Sequence, residues 1–588
     1  MNFPYNNIGQ WWSALIIDQM VKSGFKDFFC CPGMRNAPLL YAIETNPDTK
    51  VHQGFDERAQ SYHALGFIKT TKKPAILVCT SGTAVANFLP AIIEAEKNHL
   101  PLIVISADRP SELNAADANQ TINQVEVLRN YTKSFWDTSE AQASYPPAAL
   151  AGKIAFLLNQ SLENPSGPLH INVPLREPLD HTIQEIQSSW KNEAISILKN
   201  DEPCLLFAQT KKNVDKDDIK KLHEKLKVAK RPLIIFGPPH GLQSYDREKI
   251  KLFIKNYNGS FSCDVTSGIK YCFGSEDGLI PTLDHPEVLH QLESKSPDLI
   301  VHFGGRLTSK HYYPFLNKIK KGSTQKNIPI ILISDGAYHE DPGFSFNQRW
   351  NLRPSEVINE LALLFHENSS ELKPLVDWEE LIKTKRTIIE SAGITYPFIT
   401  KRAVDTLDNV KKAFIGNSTF IRSFDSYAGT YSAESNWDVI ANRGASGIEG
   451  HIAMSFAVAN NTEDPTVSFI GDISFLYDLN SLSYFKDKEI PFLCIIANNK
   501  SGGIFNLLPI AQDDQAKTYK HLLTTPHNHD ITALIKAFGL NSSKVSSKEE
   551  YQKHLDKWKK DPQLKFLEVC FDDRENQDIY KKLRTVKL

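Results

Sequence analysis

The stretch TVSFIGDISFLYDLNSLSYFKDKEIPFLCIIANN, residues 466–499, decides the fold. Two short apolar runs, Thr466–Ile470 and Phe492–Ala497, each end in polar residues, Gly471-Asp472 and Asn498-Asn499. Asn499 follows Asp472 by 27 positions, which fits one strand end, a helix and the next strand end. In a parallel sheet both polar residues then emerge at the carboxyl edge, where open α/β sheets bind ligands. An Asp and an Asn there suit a hard cation such as Mg²⁺ (or Mn²⁺), which takes oxygen ligands and is usually shared with substrate phosphates. The pair reads as a diphosphate-metal clamp; the plainer alternative is a strand-end turn and a polar loop.

Outward from this stretch, the rest of the chain repeats the pattern. Phe25–Cys31, Ala75–Cys79 and Leu102–Ser106 are apolar runs followed by turns and helix-like segments such as Ala84–Glu96. A polar stretch around Gln184–Asn200 leads to a second series, Pro232–Phe236, Asp298–Phe303 and Ile328–Ser334. Leu361–Glu390, rich in Glu and Lys, reads as a helical connector to the third series, Ala413–Ile415, Thr466–Ile470, Phe492–Ala497 and Lys565–Val569. The expectation is an α/β protein of three domains, each a mainly parallel sheet flanked by helices, over residues 1–185, 200–365 and 385–588. In the middle block, Phe236-Gly-Pro-Pro-His-Gly241 and Phe303-Gly-Gly-Arg306 are glycine turns after strands. Neither is G-x-G-x-x-G, so a structural Rossmann-like domain is expected rather than a dinucleotide site.

The 588 residues leave ample room for such cores, and a formal charge of −2 without long like-charge blocks gives no footprint for nucleic acid or an acidic membrane. Eight cysteines without CxxC pairs indicate reduced, mostly buried thiols. No apolar run approaches the ~20 residues needed to span a bilayer, and the expected location is cytoplasmic.

Gly471-Asp472 followed by Asn498-Asn499 resembles the motif of thiamine diphosphate (ThDP) enzymes, in which a backbone carbonyl two residues beyond the second Asn, here Ser501, also binds the metal. Such a cofactor needs a carboxylate beside its aminopyrimidine, and Glu57 in Asp56-Glu57-Arg58 is the candidate. Otherwise Glu57 is a solvated first-turn acid complementing the helix dipole. A glutamate in the first block and a clamp in the third resemble the ThDP-dependent decarboxylase and carboligase superfamily, with its pyrimidine-binding, central and diphosphate-binding domains. Seven ordered motifs narrow the likeness: Cys31-Pro-Gly-Met-Arg-Asn-Ala-Pro38, Cys79-Thr-Ser-Gly-Thr-Ala84, Ala107-Asp-Arg-Pro110, Ala118-Asn-Gln-Thr-Ile122, Gly416-Asn-Ser418, Asn442-Arg-Gly-Ala-Ser-Gly-Ile448 and Ser501-Gly-Gly-Ile-Phe505. They resemble the 2-succinyl-5-enolpyruvyl-6-hydroxy-3-cyclohexene-1-carboxylate (SEPHCHC) synthase family of menaquinone biosynthesis, densely over about residues 25–135 and 415–530.

The resemblance implies a carboligase that decarboxylates 2-oxoglutarate and adds the resulting succinyl-semialdehyde unit to isochorismate. It implies that Arg422 and Arg443 hold the succinyl carboxylate, and that Arg35, Arg109, Gln120 and Lys310 line the isochorismate side. Arg suits such anions because its planar fork bonds both carboxylate oxygens, whereas a lone Arg is ordinarily a surface ion pair. For the cofactor the resemblance implies Ser81 and Gly82 at a tight turn, Asn417, Ser418 and Gly471, Ile448 as an apolar wedge, and Ile504 with Phe505 as walls. It also implies a homodimer or homotetramer in which Glu57 of one subunit meets the clamp of another, with active sites at the subunit interface. Met34, Ser501 and His311 depart from the family's usual Ser, Gly and Arg. Met34 and His311 are the best support for the alternatives, an acetohydroxyacid synthase-like or 2-oxoacid decarboxylase-like enzyme; a third reading is a degenerate binding module. His99, His451 and His527 have no evident partner in the sequence and read as structural or peripheral.

Overall fold

The computed structural model describes residues 3–114, 116–208, 215–257, 259–274, 277–322, 328–365, 375–376, 378–428, 435 and 437–587. The chain forms two compact units, Met1–Lys211 with Arg443–Ser446, and Lys212–Asn442 with Gly447–Leu588.

The first unit holds β1 (Asp27–Cys30), β2 (Lys50–Gln53), β3 (Ala75–Cys79), β4 (Leu102–Asp108), β5 (Ser134–Asp137) and β6 (Leu169–Pro174), in the order β2-β1-β3-β4-β6-β5 with every pairing parallel. Strands β3, β4 and β6 are buried throughout, as continuous apolar runs in a sheet covered on both faces must be. The segment expected as one helix over Ala84–Glu96 is two, Thr83–Asn87 and Leu89–Lys97. Pro90 lacks the N–H that would continue the ladder, and the chain breaks at Phe88. The polar stretch after β6 contains a helix, Ser188–Lys199, whose Trp190 and Ala194 are buried in this unit's core.

The second unit contains two further sheets. One comprises β7 (Pro232–Phe236), β8 (Ser260–Cys263), β9 (Leu299–Phe303), β10 (Ile330–Ile333) and β11 (Gln348–Trp350), ordered β11-β10-β9-β7-β8. The other comprises β12 (Lys412–Ile415), β13 (Asp438–Ile440), β14 (Thr466–Gly471), β15 (Phe492–Asn498), β16 (Ser542–Val545) and β17 (Lys565–Cys570), ordered β13-β12-β14-β15-β17-β16. All of their pairings are parallel too. The three sheets thus form three α/β domains flanked by helices.

A buried ion pair joins the turn after β8 to the helix Thr419–Tyr427 that follows β12. Lys270 Nζ donates to Asp425 Oδ1 at 2.8 Å and to its carbonyl at 2.6 Å. The connector expected over Leu361–Glu390 is two helices, Pro354–Leu364 and Glu379–Ser391; residues 366–374 and 377 of it lie outside the described residues. Leu375, Trp378, Leu381 and Ile382 are buried against β7, β9 and β10. At the carboxyl edge of β7 and β9, a Cβ on Gly237 would collide with the Gly305 carbonyl, so the two glycine turns pack on each other. Among the described residues no helix is long and apolar enough to cross a membrane.

Candidate active site

In the first unit the strand order reverses between β1 and β3, so their carboxyl ends flank the switch point where such sheets bind ligands. Ser81 and Gly82 follow β3 there, and three expected or neighbouring side chains converge on them. Arg109 Nη1 donates to Ser81 Oγ at 2.5 Å and to the Gln120 carbonyl at 3.1 Å. Gln120 Nε2 donates to the Ser81 carbonyl at 2.9 Å, and Gln124 Oε1 accepts from the Gly82 N–H at 2.7 Å. Gln124 was not expected in the site; its burial among polar partners is a tertiary fact with no sequence signal. Arg35 donates from Nη1 to the Leu175 carbonyl at 2.9 Å, while its buried Nε has no hydrogen-bond partner among the described residues. Burial and the nearby Arg109 guanidinium lower its pKa. Met34, beside it, is 66% exposed.

Glu57 opens the helix Glu57–Thr71, whose N-cap Asp56 accepts from the Ala59 N–H at 3.0 Å. The Glu57 carboxyl is half-buried, and its pKa is raised by burial and by the Asp56 charge against a lowering backbone bond. A solvated first-turn acid has no such desolvation. Arg443 belongs to this unit through residues 443–446. Buried Glu94 accepts there from the backbone N–H groups of Gly444 (2.9 Å), Ala445 (2.7 Å) and Ser446 (3.3 Å). Glu94 lies mid-helix in the sequence and gives no hint of this anchoring role.

In the second unit β14 and β15 are neighbours, and Gly471 pairs with Ala497, so Asp472 and Asn499 leave adjacent strand ends. Asp472 Oδ1 accepts from the Ile473 N–H at 2.8 Å, and Oδ2 accepts from the Ser501 N–H at 3.1 Å. Burial raises the Asp472 pKa, opposed by a contact with His527 Nε2, 3.2 Å from Oδ2. His527 is therefore not peripheral: the fold brings it 55 positions along the chain to the carboxylate. Asn499 donates from Nδ2 to Asp573 at 2.9 Å, while its buried Oδ1 has no partner among the described residues.

A buried carboxylate, an orphaned amide oxygen and a nearby backbone carbonyl form an oxygen donor set suited to Mg²⁺ or Mn²⁺. The Ser501 carbonyl accepts from the Gly503 N–H at 2.8 Å, which leaves one lone pair for a further partner. The positive φ of this turn, 60°, falls on Lys500 and not on Ser501, so a Cβ at Ser501 costs no backbone strain. Across the switch point between β12 and β14, Asn417 Nδ2 donates to the carbonyls of Asn442 (2.7 Å) and Gly447 (2.6 Å). Ser418 takes a φ of 69° at the start of the next helix, and half-buried Ile448 follows Gly447.

Lys310 and Arg422, 112 positions apart and assigned by resemblance to different substrates, line one cavity of about 180 Å³ with Ile504, Asp284, Lys581 and Arg584. Arg422 Nη1 donates to the Ser418 carbonyl at 2.5 Å. Asp284 lies 3.8 Å from both His311 and Arg584. Phe505, next to Ile504, is 36% exposed. The C-terminal helix residues Lys581 and Arg584 were not among the expected cations, since a Lys or Arg in a terminal amphipathic helix reads as a solvated face.

Residues 11–127 match the family described as thiamine pyrophosphate enzyme, N-terminal TPP binding domain, and residues 424–569 match its C-terminal TPP binding domain. The chain is 31% identical to the 2-succinyl-5-enolpyruvyl-6-hydroxy-3-cyclohexene-1-carboxylate synthase of Pelodictyon phaeoclathratiforme, over 98% of this chain and 95% of that one. Its identity to the synthase of the same name from Chlorobium phaeobacteroides is 34% (92% and 91% covered), and to that from Syntrophus aciditrophicus 32% (99% of each). The fold is similar to a putative thiamin diphosphate-dependent enzyme from Mycobacterium smegmatis, with a TM-score of 0.68 at 15% identity, covering 95% of this chain and 99% of that one. A Rhodococcus jostii thiamine diphosphate-dependent 4-hydroxybenzoylformate decarboxylase gives a TM-score of 0.70 at the same identity and coverage. With 92–99% of its length aligned to these synthases and both cofactor-binding domains matched, the chain belongs to the SEPHCHC synthase family of thiamine diphosphate enzymes.

Proposed function

We propose that the chain catalyses the decarboxylation of 2-oxoglutarate and the addition of the succinyl-semialdehyde unit to isochorismate, yielding SEPHCHC and CO₂ in menaquinone biosynthesis. The observation that carries this reading is the shared cavity in which Lys310 and Arg422 meet Ile504, where the two anionic substrates would meet beside a residue expected at the cofactor. Asp472, Asn499 and the Ser501 carbonyl would hold Mg²⁺ (or Mn²⁺), and Gly471, Asn417, Ser418, Ser81, Gly82, Ile448, Ile504 and Phe505 would hold ThDP. When bound, ThDP supplies the electron sink that loss of CO₂ requires.

The protein's part is to place charge and protons. Glu57, its pKa raised by burial, takes and returns a proton at its carboxylate. Arg422 and Arg443 bind the succinyl carboxylate, and Arg35, Arg109, Gln120 and Lys310 bind isochorismate, with apolar walls limiting water. This reading includes a pyrimidine-binding domain over residues 1–185, a central domain over 200–365 and a diphosphate-binding domain over 385–588. It also includes a cytoplasmic homodimer or homotetramer with Glu57 of one subunit at the clamp of another. The test is CO₂ release from 2-oxoglutarate and from pyruvate, each with and without isochorismate. Release from 2-oxoglutarate that rises with isochorismate supports the proposal; preference for pyruvate overturns it.

A further inference from the structure

An asparagine serves a cation only through Oδ1, because Nδ2 carries protons, yet the two ends of the amide have nearly the same shape. What selects the end of Asn499 that faces the clamp is therefore a neighbour that only accepts or only donates. Asp573, the first residue of the C-terminal helix Asp573–Thr585, is such a neighbour. Its Oδ1 accepts from Asn499 Nδ2 at 2.9 Å, and its Oδ2 accepts from Asn506 Nδ2 at 2.6 Å and from Gln577 Nε2 at 2.7 Å.

A carboxylate offers no donor, so the NH₂ end of Asn499 is held on Asp573 and the buried Oδ1 is left without a partner among the described residues. The local backbone is cut to this pair: a Cβ at Gly503 would collide with Asn499 Nδ2 and lie 2.7 Å from Asp573 Oδ1. The helix carrying Asp573 is itself anchored. Asn576 Oδ1 accepts from the Tyr396 N–H at 3.1 Å and Glu575 Oε1 from the Gly393 N–H at 2.6 Å.

We infer that Asp573 is a positioning residue that orients the metal-ligating amide of Asn499, so that the C-terminal helix sets the metal affinity of the clamp. This rests on reading Asn499 as a metal ligand. The direction of the effect follows from counting donors. In Asp573→Asn one side-chain oxygen becomes an NH₂ group; two donors face the Oδ2 position and one faces Oδ1, so the NH₂ group turns toward Asn499. Asn499 then flips and presents protons to the cation. In the exchanged pair Asp573→Asn with Asn499→Asp, the NH₂ group of residue 573 donates to the new carboxylate, whose other oxygen still faces the cation.

The experiment is isothermal titration calorimetry of ThDP into the full chain at graded MgCl₂, with thermal unfolding in the absence of metal as a control for folding. The wild type should show Mg²⁺-dependent ThDP binding. Asp573→Asn should raise the half-saturating Mg²⁺ concentration about tenfold or more at an unchanged unfolding temperature. The exchanged pair should recover most of that loss, and Gln577→Ala, which leaves the Asn499 bond in place, should stay near wild type. Binding by the wild type with equal Mg²⁺ dependence in Asp573→Asn overturns this inference alone, as does an equal loss in Gln577→Ala. Absence of Mg²⁺ dependence in the wild type overturns the clamp reading along with it.

Discussion

At the scale of single residues, the proposed site divides proton transfer, metal binding and anion binding among different side chains, and each division has its own measurement. Glu57→Gln keeps the shape of the side chain but removes the ionisable group, so ThDP and Mg²⁺ binding should persist while turnover falls by about 100-fold or more. Near-normal turnover would sink the assignment. Asp472→Ala should instead weaken cofactor binding itself, because the clamp loses its buried carboxylate. Arg422→Ala should raise the KM for 2-oxoglutarate or block its decarboxylation. Arg35→Ala and Arg109→Ala should spare decarboxylation to an artificial electron acceptor and impair the joining step. Each lost charge-assisted bond should cost about 1.5–3 kcal/mol, roughly ten- to a hundredfold. Equal impairment of decarboxylation in all three would refute this partition.

At the scale of elements, the helix Glu379–Ser391 carries a charge into the core. Lys385 is 5% exposed, with Nζ 5.6 Å from the Tyr427 ring centre, and burial lowers its pKa from 10.5 to about 7 against the pull of Asp284. In the unfolded chain the amine keeps its proton up to its ordinary value, so from pH 7 upward the unfolded state binds more protons and stability rises with pH. Below pH 7 both states are charged and the full desolvation cost is present. Lys385→Met should therefore stabilise the protein by about 1–3 kcal/mol at pH 6 and by less at pH 9. Urea midpoints at the two pH values check this, and an equal gain at both would show that packing, not charge, limits the site.

At the scale of the whole molecule, the proposed assembly makes one subunit depend on another. Inactive Glu57→Gln and inactive Asp472→Ala chains, mixed after reversible dissociation, should form mixed dimers with one native site each. With random pairing the mixture should regain about a quarter of wild-type activity. No recovery, with mixed dimers demonstrated by sedimentation or mass spectrometry, would place Glu57 and the clamp of one active site in a single chain.

The sequence by itself determined the three parallel sheets and the strand ends that carry the proposed clamp. A buried parallel strand must be a continuous apolar run, as Ala75–Cys79 and Phe492–Ala497 are, and its carboxyl end must show a turn and a polar residue. The ordered motifs likewise made Ser81, Gly82, Arg109 and Gln120 legible together, and the structure ties Ser81, Arg109 and Gln120 by direct hydrogen bonds. Only the tertiary structure decided that Pro90 breaks the helix after β3 in two, and that Trp190 draws the polar stretch after β6 into the first core. Only it placed Lys310 with Arg422 in one cavity, His527 on Asp472, and Asp573 beneath Asn499. The reason is physical. Periodicity records which face of an element is dry, whereas a hydrogen bond between side chains 55 or 74 residues apart depends on how elements cross, and that information is spread over the whole packed core.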